Sequence, residues 1–420
     1  MRLWIGLDDT DSNKGMCTTY LAVLIIEELE RRLGRLIGFP RIVRLNPTIP
    51  YKTRGNGAVS FLVEIEDVNE AMEIVNEVIL ENAMLDDDNT NPGAVFVEDS
   101  DLVERLKMFA LKAIRGVVSL NEALLIIEKH FIPYLKYKKG RGLIGALAAV
   151  GAEFNDYTLE LLAYRSPEKF GMDRDFDEES FYDADLETYP QTFDTVDWCN
   201  EVVVAVPNTP CPVLFGIRGE NIEAIYNAFK IVRTEYIDRH MLFTTNHATD
   251  MHIIDESDVD ELRNYRSYKL RGVVSKEPYD IEGGHVFFEI VTKFGSVRCA
   301  AFEPTKQFRN IIRLLRIGDE VEVYGSMKKN TINLEKINIL RLAEIYVEEN
   351  PICPICGKRM ESAGKNKGFR CKKCKTRAFE KIKKKIHRRL DTGFYEVPPS
   401  ARRHLAKPLI RMEGKRHIFR

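Results

Sequence analysis

The sequence lacks the features that would place it in a membrane or in the secretory pathway. No apolar run among its 420 residues approaches the ~20 residues that a membrane-spanning helix needs. No secretory signal peptide is visible at its beginning, and we therefore expect a cytoplasmic protein. Glycine and proline, with 26 and 17 residues, are too few for a collagen-like or low-complexity chain. The P-loop pattern G-x-x-x-x-G-K-S/T is also absent, so phosphate binding needs another kind of loop.

The composition is that of a globular protein with several domains. Hydrophobic residues make up 44% and charged residues 30% of the chain, which is long enough for two to four domains. The net charge of −2 conceals an uneven distribution. Residues 346–420 contain 22 Lys and Arg against 7 Asp and Glu, whereas the remainder contains 40 against 57. A basic C-terminal region on an acidic body predicts a polyanionic partner.

The cysteines indicate a metal site rather than disulfides. Four of the eight are scattered, and the other four form two C-x-x-C pairs, Cys353 with Cys356 and Cys371 with Cys374. Two such knuckles complete a tetrahedral site of four thiolates, so the spacing predicts a structural Zn²⁺ in a zinc ribbon. Redox-active dithiols are the alternative, although one pair would suffice for that chemistry.

The segment after this ribbon combines basic and aromatic residues. Lysine and arginine are dense over residues 381–389 and return at Arg402 and Arg411, with Phe394 and Tyr395 between them. Cations that balance phosphate charge and rings that stack on bases are typical of nucleic-acid binding. A solvated charged face is the alternative.

Residues 268–345 alternate short strands with one helix. Strands are predicted at 268–275, 285–294, 296–302, 319–325 and 331–340, and the apolar spacing of residues 305–316 predicts a helix. Five strands with a helix between the third and the fourth are typical of an OB-fold, which often binds nucleic acid. A small β-barrel without a ligand is the alternative.

The N-terminal segment gives the strongest indication of chemistry. An apolar strand leads directly into the loop Asp8-Asp9-Thr10-Asp11-Ser12-Asn13-Lys14-Gly15, and residues 17–33 have the apolar spacing of a helix. Carboxylates at a strand end suit Mg²⁺, which shares the phosphates of ATP. Strand alternation predicts that Asp8 and Asp9 point to opposite sides, with Asp11 able to join either.

The same loop carries candidate phosphate ligands. Ser12, Lys14 and the Gly15 amide precede a predicted helix N terminus, where anions are stabilised. Thr18 lies in the first turn of that helix, where its hydroxyl would meet a γ-phosphate. Turn and cap residues without a ligand are the alternative, because Asp, Ser and Asn favour such positions.

Two glycine-rich basic loops follow, at residues 51–57 and 137–145. Glycine allows close backbone approach and cations balance phosphate, so Lys139 and Arg141 of the second loop are further candidates for ATP binding. Ordinary hairpin turns are the alternative for both loops.

The region from residue 142 to about 230 alternates predicted strands and helices, as small ferredoxin-like sandwiches do. Strands are predicted at 142–150, 158–164 and 201–206, an acidic loop at 173–187 and a helix at 221–230. Asp194 and Asp197 have no neighbouring lysine and would receive a cationic substrate, unless they serve as a helix cap or a solvated loop. His240, His247 and His252 lack a metal-binding spacing and are not predicted as ligands.

The motif IGLDDTDSNKGMCTTY, the predicted OB-fold and the pattern CPIC-x14-CKKC with its basic extension resemble the archaeal 2-agmatinylcytidine synthetase family. The resemblance covers essentially the whole chain, and its N-terminal motif is the specific part. It implies ATP-dependent joining of agmatine to the 2-carbon of the wobble cytidine in the CAU anticodon of an isoleucine tRNA. That modification changes the codon read from AUG to AUA, and ATP ends as AMP and phosphates.

The resemblance also implies an α+β multidomain architecture. A kinase-like ATP and Mg²⁺ domain is expected at residues 1–136, a ferredoxin-like domain at 137–264, an OB-fold at 265–345 and a zinc ribbon with a basic tail at 346–420. Thr18 matches a threonine that becomes phosphorylated in this family. Agmatine is dicationic, and its guanidinium favours a bidentate carboxylate, for which Asp194 and Asp197 are the candidates.

Two other functions are compatible with the sequence. One is a non-catalytic OB-fold and zinc-ribbon protein that binds single-stranded nucleic acid, although such a protein has no reason to concentrate Mg²⁺-type ligands in residues 8–15. The other is a nucleotide-dependent RNA-modifying enzyme that uses a different amine. The oligomeric state is not predicted.

Overall fold

The computed structural model of the chain describes residues 1–50, 52 and 55–420. Tyr51, Thr53 and Arg54 belong to the first predicted glycine-rich basic loop and lie outside the described residues. The described chain is α+β: a mixed sheet with helices on both faces, followed by a β-barrel, a small ribbon and a C-terminal segment that returns to the body.

The sheet has nine strands within the described ranges, in the order β5-β4-β1-β3-β2-β11-β6-β10-β7. The strands of residues 1–255 are β1 (Arg2–Asp8), β2 (Gly34–Arg44), β3 (Gly57–Ile65), β4 (Gly93–Glu98), β5 (Tyr134–Lys136), β6 (Thr158–Arg165), β7 (Thr192–Phe193), β8 (Val196–Asp197), β9 (Val202–Val203), β10 (Val213–Gly219), β11 (Ile237–Thr245) and β12 (Ile253–Asp255). Strands β8 and β9 form a separate pair, and β12 pairs with the barrel. Strands β2 and β11 pair in parallel at Arg41 with Thr244 and Ile42 with Thr245. This pairing joins the two predicted N-terminal domains into one continuous sheet.

Helices cover both faces of this sheet. They are α1 (Thr18–Arg32), α2 (Val68–Asn82), α3 (Asp101–Arg115), α4 (Leu120–Lys129), α5 (Gly142–Gly151), α6 (Glu178–Thr188) and α7 (Ile222–Ile231). Successive side chains of a strand alternate between faces, so Leu3, Ile5 and Leu7 of β1 pack with α1 and α2, whereas Trp4 packs with α3, α4 and α5. Helix α1 confirms the helix predicted for residues 17–33.

The predicted strand at residues 142–150 is wrong, because this segment forms helix α5. All but one of its residues are buried, so the apolar run has no polar face, and periodicity does not separate a buried helix from a buried strand. The segment is rich in Gly, Ala and Leu and contains few of the β-branched residues that favour strands.

Two further predictions in this region need correction. The acidic loop expected at residues 173–187 contains helix α6, which Asp177 caps by accepting a hydrogen bond from the Glu179 N–H. Its Phe181 and Ala184 are buried, and this apolar side accounts for the helix. The strand expected at 201–206 is reduced to the two residues of β9. The helix predicted at 221–230 is confirmed by α7.

The barrel confirms the strand order predicted for residues 268–345. Its elements are β13 (Ser267–Ile281), β14 (His285–Thr292), β15 (Gly295–Ala301), α8 (Phe308–Arg313), β16 (Glu320–Lys328) and β17 (Thr331–Arg341). Strands pair as β13–β14, β14–β15, β15–β17, β17–β16 and β16–β13, which closes the five strands on themselves. The helix lies between the third and the fourth strand, as predicted.

The ribbon and the last segment follow the barrel. Their strands are β18 (Tyr346–Glu349), β19 (Glu361–Ser362), β20 (Phe369–Arg370), β21 (Arg377–Ala378), β22 (Ile382–Lys385), β23 (Gly393–Glu396) and β24 (Arg416–His417). Strand β23 pairs with β17, so the chain rejoins the barrel after the ribbon. Residues 397–420, here called the C-terminal strap, then pass over the sheet domain.

The expectation that the basic tail as a whole faces a polyanion is wrong for the strap. The side chains of Arg402 and Arg411 are each only 5% exposed. Arg402 pairs with Asp194, and Arg411 Nη2 lies 2.7 Å from Asp156 Oδ1. Acidic residues of the body therefore neutralise part of the tail, and the exposed basic residues are concentrated in the ribbon.

No helix in the described ranges combines the length and apolar character needed to cross a membrane.

A buried polar network ties the barrel to the strap and to the sheet domain. Glu335 of β17 accepts hydrogen bonds from Ser326 Oγ at 3.1 Å and from Arg403, and its Oε2 lies 2.9 Å from His252 Nε2. Burial raises the pKa of Glu335, but His252, Arg403 and Lys336 more than offset it, and the pKa falls from 4.5 to about 2. The ionised carboxylate therefore stabilises the fold.

We predict that Glu335 makes an acid-sensitive contribution to the stability of the folded protein. A carboxylate with a lowered pKa stabilises the folded state above its unfolded pKa of 4.5, and this contribution of about 3 kcal/mol is lost as the pH falls towards 2. The Glu335→Gln variant should unfold at a lower temperature at pH 7 and lose less stability between pH 5 and pH 2.5. Thermal unfolding of the wild type, this variant and the exposed control Glu361→Gln measures the difference. Equal acid losses in all three proteins would contradict the prediction.

Candidate active site

A cavity of about 480 Å³ lies between the end of β1, the start of α1, strand β6 and the strap. We call it the central cavity. Its charged lining residues are Asp8, Asp9, Asp11, Arg44, Lys52, Arg141, Glu160, Asp194, Arg218 and Arg402. The cavity therefore brings together residues from widely separated parts of the sequence.

The loop of residues 8–15 after β1, here called the acid loop, forms one wall of the cavity. Asp8, Asp9 and Asp11 all line the cavity, so the expectation that Asp8 and Asp9 point to opposite sides is wrong. The reason is local, because Asp9 adopts a φ of 61°, which ends the strand and breaks its alternation. The Thr90 hydroxyl holds the loop by donating to the Asp11 carbonyl at 2.7 Å.

Helix α5 is packed directly beneath this loop. A Cβ atom added to Gly145 would lie 1.9 Å from Asp8 Oδ2, so only glycine leaves room for the carboxylate. Burial raises the pKa of Asp8 from 3.8 to about 8, and the charge of Asp9 contributes. Burial also raises the pKa of Asp9, to about 6, although Arg141 opposes this. Such surplus buried acid favours a bound cation.

Arg141 meets the acid loop from the second glycine-rich basic loop. Its Nε donates to Asp9 Oδ2 and its Nη2 to Asp9 Oδ1, both at 3.1 Å. The Asn91 N–H donates to the same carboxylate at 3.2 Å. Asp9 is thus the carboxylate of the acid loop that Arg141 holds in place.

The other predicted phosphate ligands lie in the acid loop, as Ser12, Lys14 and Gly15 do, or in the second glycine-rich basic loop, as Lys139 does. Ser12 is buried, and its Oγ accepts a hydrogen bond from the Lys14 N–H at 3.0 Å. Ser12 and Gly15 form an isolated bridge, and the Lys139 N–H donates to Asn91 Oδ1 at 3.3 Å. None of these four residues is among the described residues that line the central cavity, so the structure brings only Arg141 of the five predicted ATP ligands into it.

The N terminus of α1 opens on the cavity. Cys17 caps the helix, with its Sγ accepting a hydrogen bond from the Tyr20 N–H at 3.3 Å. Thr18 is 6% exposed and lines the cavity, and its Oγ1 accepts a hydrogen bond from the Thr10 hydroxyl at 3.1 Å. A helix N terminus favours negative charge, so this hydroxyl lies where a phosphate would be stabilised.

A second charged cluster in the cavity was not found from the sequence. Arg218 Nε donates to Glu160 Oε1 at 2.8 Å, and Arg44 Nη2 lies 3.7 Å from Glu160 Oε2. Burial lowers the pKa of His247 to about 3 and Arg218 adds to this effect, so the ring beside Glu160 is neutral. The one sequence signal is an acidic residue between the apolar residues Leu159 and Leu161 of strand β6.

The two predicted agmatine ligands occupy different places. Asp194 lines the cavity but is paired with Arg402 of the strap. Asp197 accepts hydrogen bonds from the Ser400 N–H at 3.1 Å, from the Ser400 hydroxyl at 2.5 Å and from the Asn200 amide at 2.9 Å. Asp197 is not among the described lining residues, and its carboxylate fastens the strap.

The four clustered cysteines converge as their spacing predicts. Their Sγ atoms lie within 4.8 Å of one another, with Cys353 and Cys371 buried and Cys356 and Cys374 half-buried. The backbone N–H of Cys356 lowers the pKa of Cys353 to about 6, which favours the thiolate that binds Zn²⁺. In the part of the chain that the structure describes, this is the one such group of three or more His, Cys, Asp or Glu residues.

We predict that the ribbon requires all four thiolates. The Cys356→Ser variant should lose tightly bound zinc and become susceptible to proteolysis between residues 350 and 390, because a structural site needs four ligands. Zinc content per chain, measured by elemental analysis, tests this. The exposed Cys199 gives the matched control, and Cys199→Ser should retain the zinc of the wild type. Equal zinc content in the two variants would contradict the prediction.

Comparison with known proteins accounts for most of the chain. Residues 4–139 match the family described as the TiaS TCKD domain, residues 140–252 the TiaS FLD domain and residues 350–390 the TiaS C-terminal zinc ribbon domain. The isoleucine-tRNA 2-agmatinylcytidine synthetase TiaS of Archaeoglobus fulgidus is 72% identical over 100% of both chains. The enzyme of the same name from Methanosarcina mazei is 49% identical over 98% of both.

Solved structures of TiaS superimpose on the whole chain. The crystal structure of a complex of TiaS with its isoleucine tRNA and ATP has a TM-score of 0.95 at 70% identity and covers 100% of both chains. The crystal structure of a complex of TiaS with the same tRNA, AMPCPP and agmatine has a TM-score of 0.92 at 67% identity, with the same coverage. The chain therefore belongs to the TiaS family of isoleucine-tRNA 2-agmatinylcytidine synthetases.

Proposed function

We propose that the chain joins agmatine to the 2-carbon of the wobble cytidine in the CAU anticodon of an isoleucine tRNA, at the expense of ATP. The observation that carries this proposal is the meeting of Asp8, Asp11, Thr18 and Arg141 in one cavity. Full-length relatives named for this activity, at 72% and 49% identity, support it. A protein that only binds single-stranded nucleic acid would not need buried carboxylates whose pKa lies near neutrality.

The chemistry demands activation of the cytosine. The 2-oxygen is a poor leaving group, so a phosphoryl group is transferred from ATP to that oxygen, and the bond between that phosphorus and the rest of the nucleotide breaks as the new bond forms. The primary amine of agmatine then attacks the 2-carbon, the oxygen leaves with the phosphate, and the attacking nitrogen loses its proton. The cytidine must leave the anticodon stack to reach the cavity, as bases do in other base-modifying enzymes.

Different residues of the cavity are proposed to bind the cation, to contact the nucleotide and to accept a phosphoryl group. Asp8 and Asp11 would hold Mg²⁺, which when bound would neutralise phosphate charge, and the excess of buried carboxylates fits such a cation. Arg141 orients Asp9 and offers its guanidinium to the nucleotide phosphates. Thr18 presents a hydroxyl at a helix N terminus, where it would accept a phosphoryl group.

The positions of agmatine and of the remaining predicted ligands are part of the proposal. Asp194 is the candidate for the guanidinium of agmatine, which it would bind beside Arg402, whereas Asp197 holds the strap. The phosphates of ATP are proposed to extend beyond the cavity and to contact, outside it, the remaining predicted ligands Ser12, Lys14, Gly15 and Lys139. The barrel and the zinc ribbon would hold the tRNA through backbone contacts.

We also propose domain limits within this architecture. A kinase-like unit spans residues 1–136 and a ferredoxin-like unit spans 137–264, on the two halves of the continuous sheet. The OB-fold spans 265–345, and the ribbon with the strap spans 346–420. The junction between family matches at residues 139 and 140 supports the first of these limits.

We predict that the acid loop is needed for turnover and not for tRNA binding. The isosteric variants Asp8→Asn and Asp11→Asn should lose roughly 100-fold or more of the agmatine incorporation, because each removes a carboxylate that would hold Mg²⁺ at the phosphate-transfer site. Incubation with ATP, radiolabelled agmatine and a CAU-anticodon isoleucine tRNA transcript measures the loss, and gel-shift titration measures tRNA affinity. The control is Asp86→Asn, which changes an exposed aspartate in the loop after α2 and should retain activity. Undiminished incorporation by either acid-loop variant would contradict the proposal.

Phosphorylation of the protein is expected at Thr18. With γ-labelled ATP, the wild type should acquire label in the peptide that contains this residue, and Thr18→Val should not. The control Thr305→Val lies in the barrel and should be labelled as the wild type is. Label that persists in Thr18→Val would show that another residue accepts the phosphoryl group.

A further inference from the structure

A second, basic cavity adjoins the central one. It has a volume of about 340 Å³, and its charged described lining residues are Arg44, Lys52, Arg402 and Arg403, with no acidic residue among those described. We call it the basic lobe. Arg44, Lys52 and Arg402 line both cavities, so the two are continuous. None of the three aspartates of the acid loop is among the described residues that line the basic lobe.

The cations of the basic lobe are not all neutralised from within. Arg44, Arg402 and Arg403 have carboxylate partners in Glu160, Asp194 and Glu335. Lys52, in contrast, donates to the Pro47 carbonyl at 2.5 Å and has no carboxylate within ion-pair distance among the described residues. Desolvation lowers the pKa of Lys52, and the positive charges of Arg403 and Lys328 lower it further. Lys52 therefore adds a positive charge that no described carboxylate balances, and a bound anion would balance it.

Lys52 and Gly55 of the first glycine-rich basic loop line the lobe. A Cβ atom added to Gly55 would lie 2.7 Å from Arg44 Nη1 and 3.1 Å from His404 Nε2. One added to Gly57 would lie 3.0 Å from the same guanidinium nitrogen. The glycines thus allow the backbone to lie against Arg44 and His404.

We propose that the basic lobe binds a phosphodiester group of the RNA strand beside the target nucleotide and so positions the base in the central cavity. The inference deepens the proposed function and rests on it. Two observations favour the RNA over the phosphates of ATP. The predicted Mg²⁺ ligands Asp8 and Asp11 and the predicted ATP ligand Arg141 lie outside the lobe, and Arg403 of the lobe pairs with Glu335 of the barrel. The lobe therefore lies on the side of the cavity that faces the barrel, which is predicted to bind nucleic acid.

Lys52 provides the test, because within the described part of the chain it has no ion pair whose loss would disturb the fold. The variants are Lys52→Gln, which removes the charge, and Lys52→Arg, which keeps it. Lys230→Gln makes the same charge change on an exposed residue of α7 that lines neither cavity. The ligand is an RNA stem-loop with the CAU anticodon, and its affinity for each full-length protein is measured from 50 to 300 mM KCl. ATP affinity is measured in parallel without RNA.

Lys52→Gln should weaken RNA binding and reduce the slope of log affinity against log salt concentration by about 0.7 to 1, the value for one phosphate contact. Lys52→Arg and Lys230→Gln should keep the wild-type slope, and ATP affinity should not change. An unchanged slope in Lys52→Gln overturns the proposal, and weaker ATP binding with that unchanged slope assigns the lobe to nucleotide phosphates. The binding assay needs neither agmatine nor turnover, so a failure of the proposed function is seen separately, as absent agmatine incorporation by the wild type.

Discussion

The attachment of the C-terminal strap to the sheet domain is the interaction on which the cavity depends. Arg402 is buried between Asp194 and Glu396, and its guanidinium Nη2 lies 2.9 Å from Glu396 Oε1. Burial of charged groups is costly unless each finds a partner, and removal of one partner typically costs about 3–5 kcal/mol. The strap and the sheet therefore require each other, although Asp194 and Arg402 are 208 residues apart in the sequence. Barrel and ribbon are inserted, in chain order, between the sheet and the segment that completes its cavity.

The basic C-terminal region and the acidic body, which are separate in the sequence, are partly paired with each other in the folded protein. Part of the positive C-terminal charge neutralises the acidic body from inside, through pairs such as Arg411 with Asp156 and Arg420 with Asp185. The ribbon retains exposed basic residues that are available to RNA. Within the central cavity the charges are again separated, with excess acid around Asp8 and excess base towards the basic lobe. This polarity suits a reaction that brings together a cationic amine, a nucleotide and an RNA backbone.

Local patterns predicted much of the architecture. Helix α1, the order of the barrel strands and the cysteine site were all confirmed, because alternation, helical spacing and C-x-x-C spacing are encoded over a few residues. The failures share a physical cause. The segment that forms α5 was read as a strand because it is apolar on every side, and only its burial between β1 and α3 distinguishes the two states. The positive φ of Asp9, which turns its carboxylate into the cavity, leaves no pattern in the sequence.

The sequence by itself determined the identity of the chemical groups: a cluster of aspartates after a strand, a threonine at a helix start and four thiolates at zinc-ribbon spacing. It also carried the family resemblance, because that depends on short motifs. Only the tertiary structure decided which of these groups share a cavity and which are already paired. Glu160 with Arg218 and the strap residue Arg402 complete that cavity through contacts between residues far apart in the chain. Pairing of buried charges is decided by distance in space, and no periodicity along the chain records it.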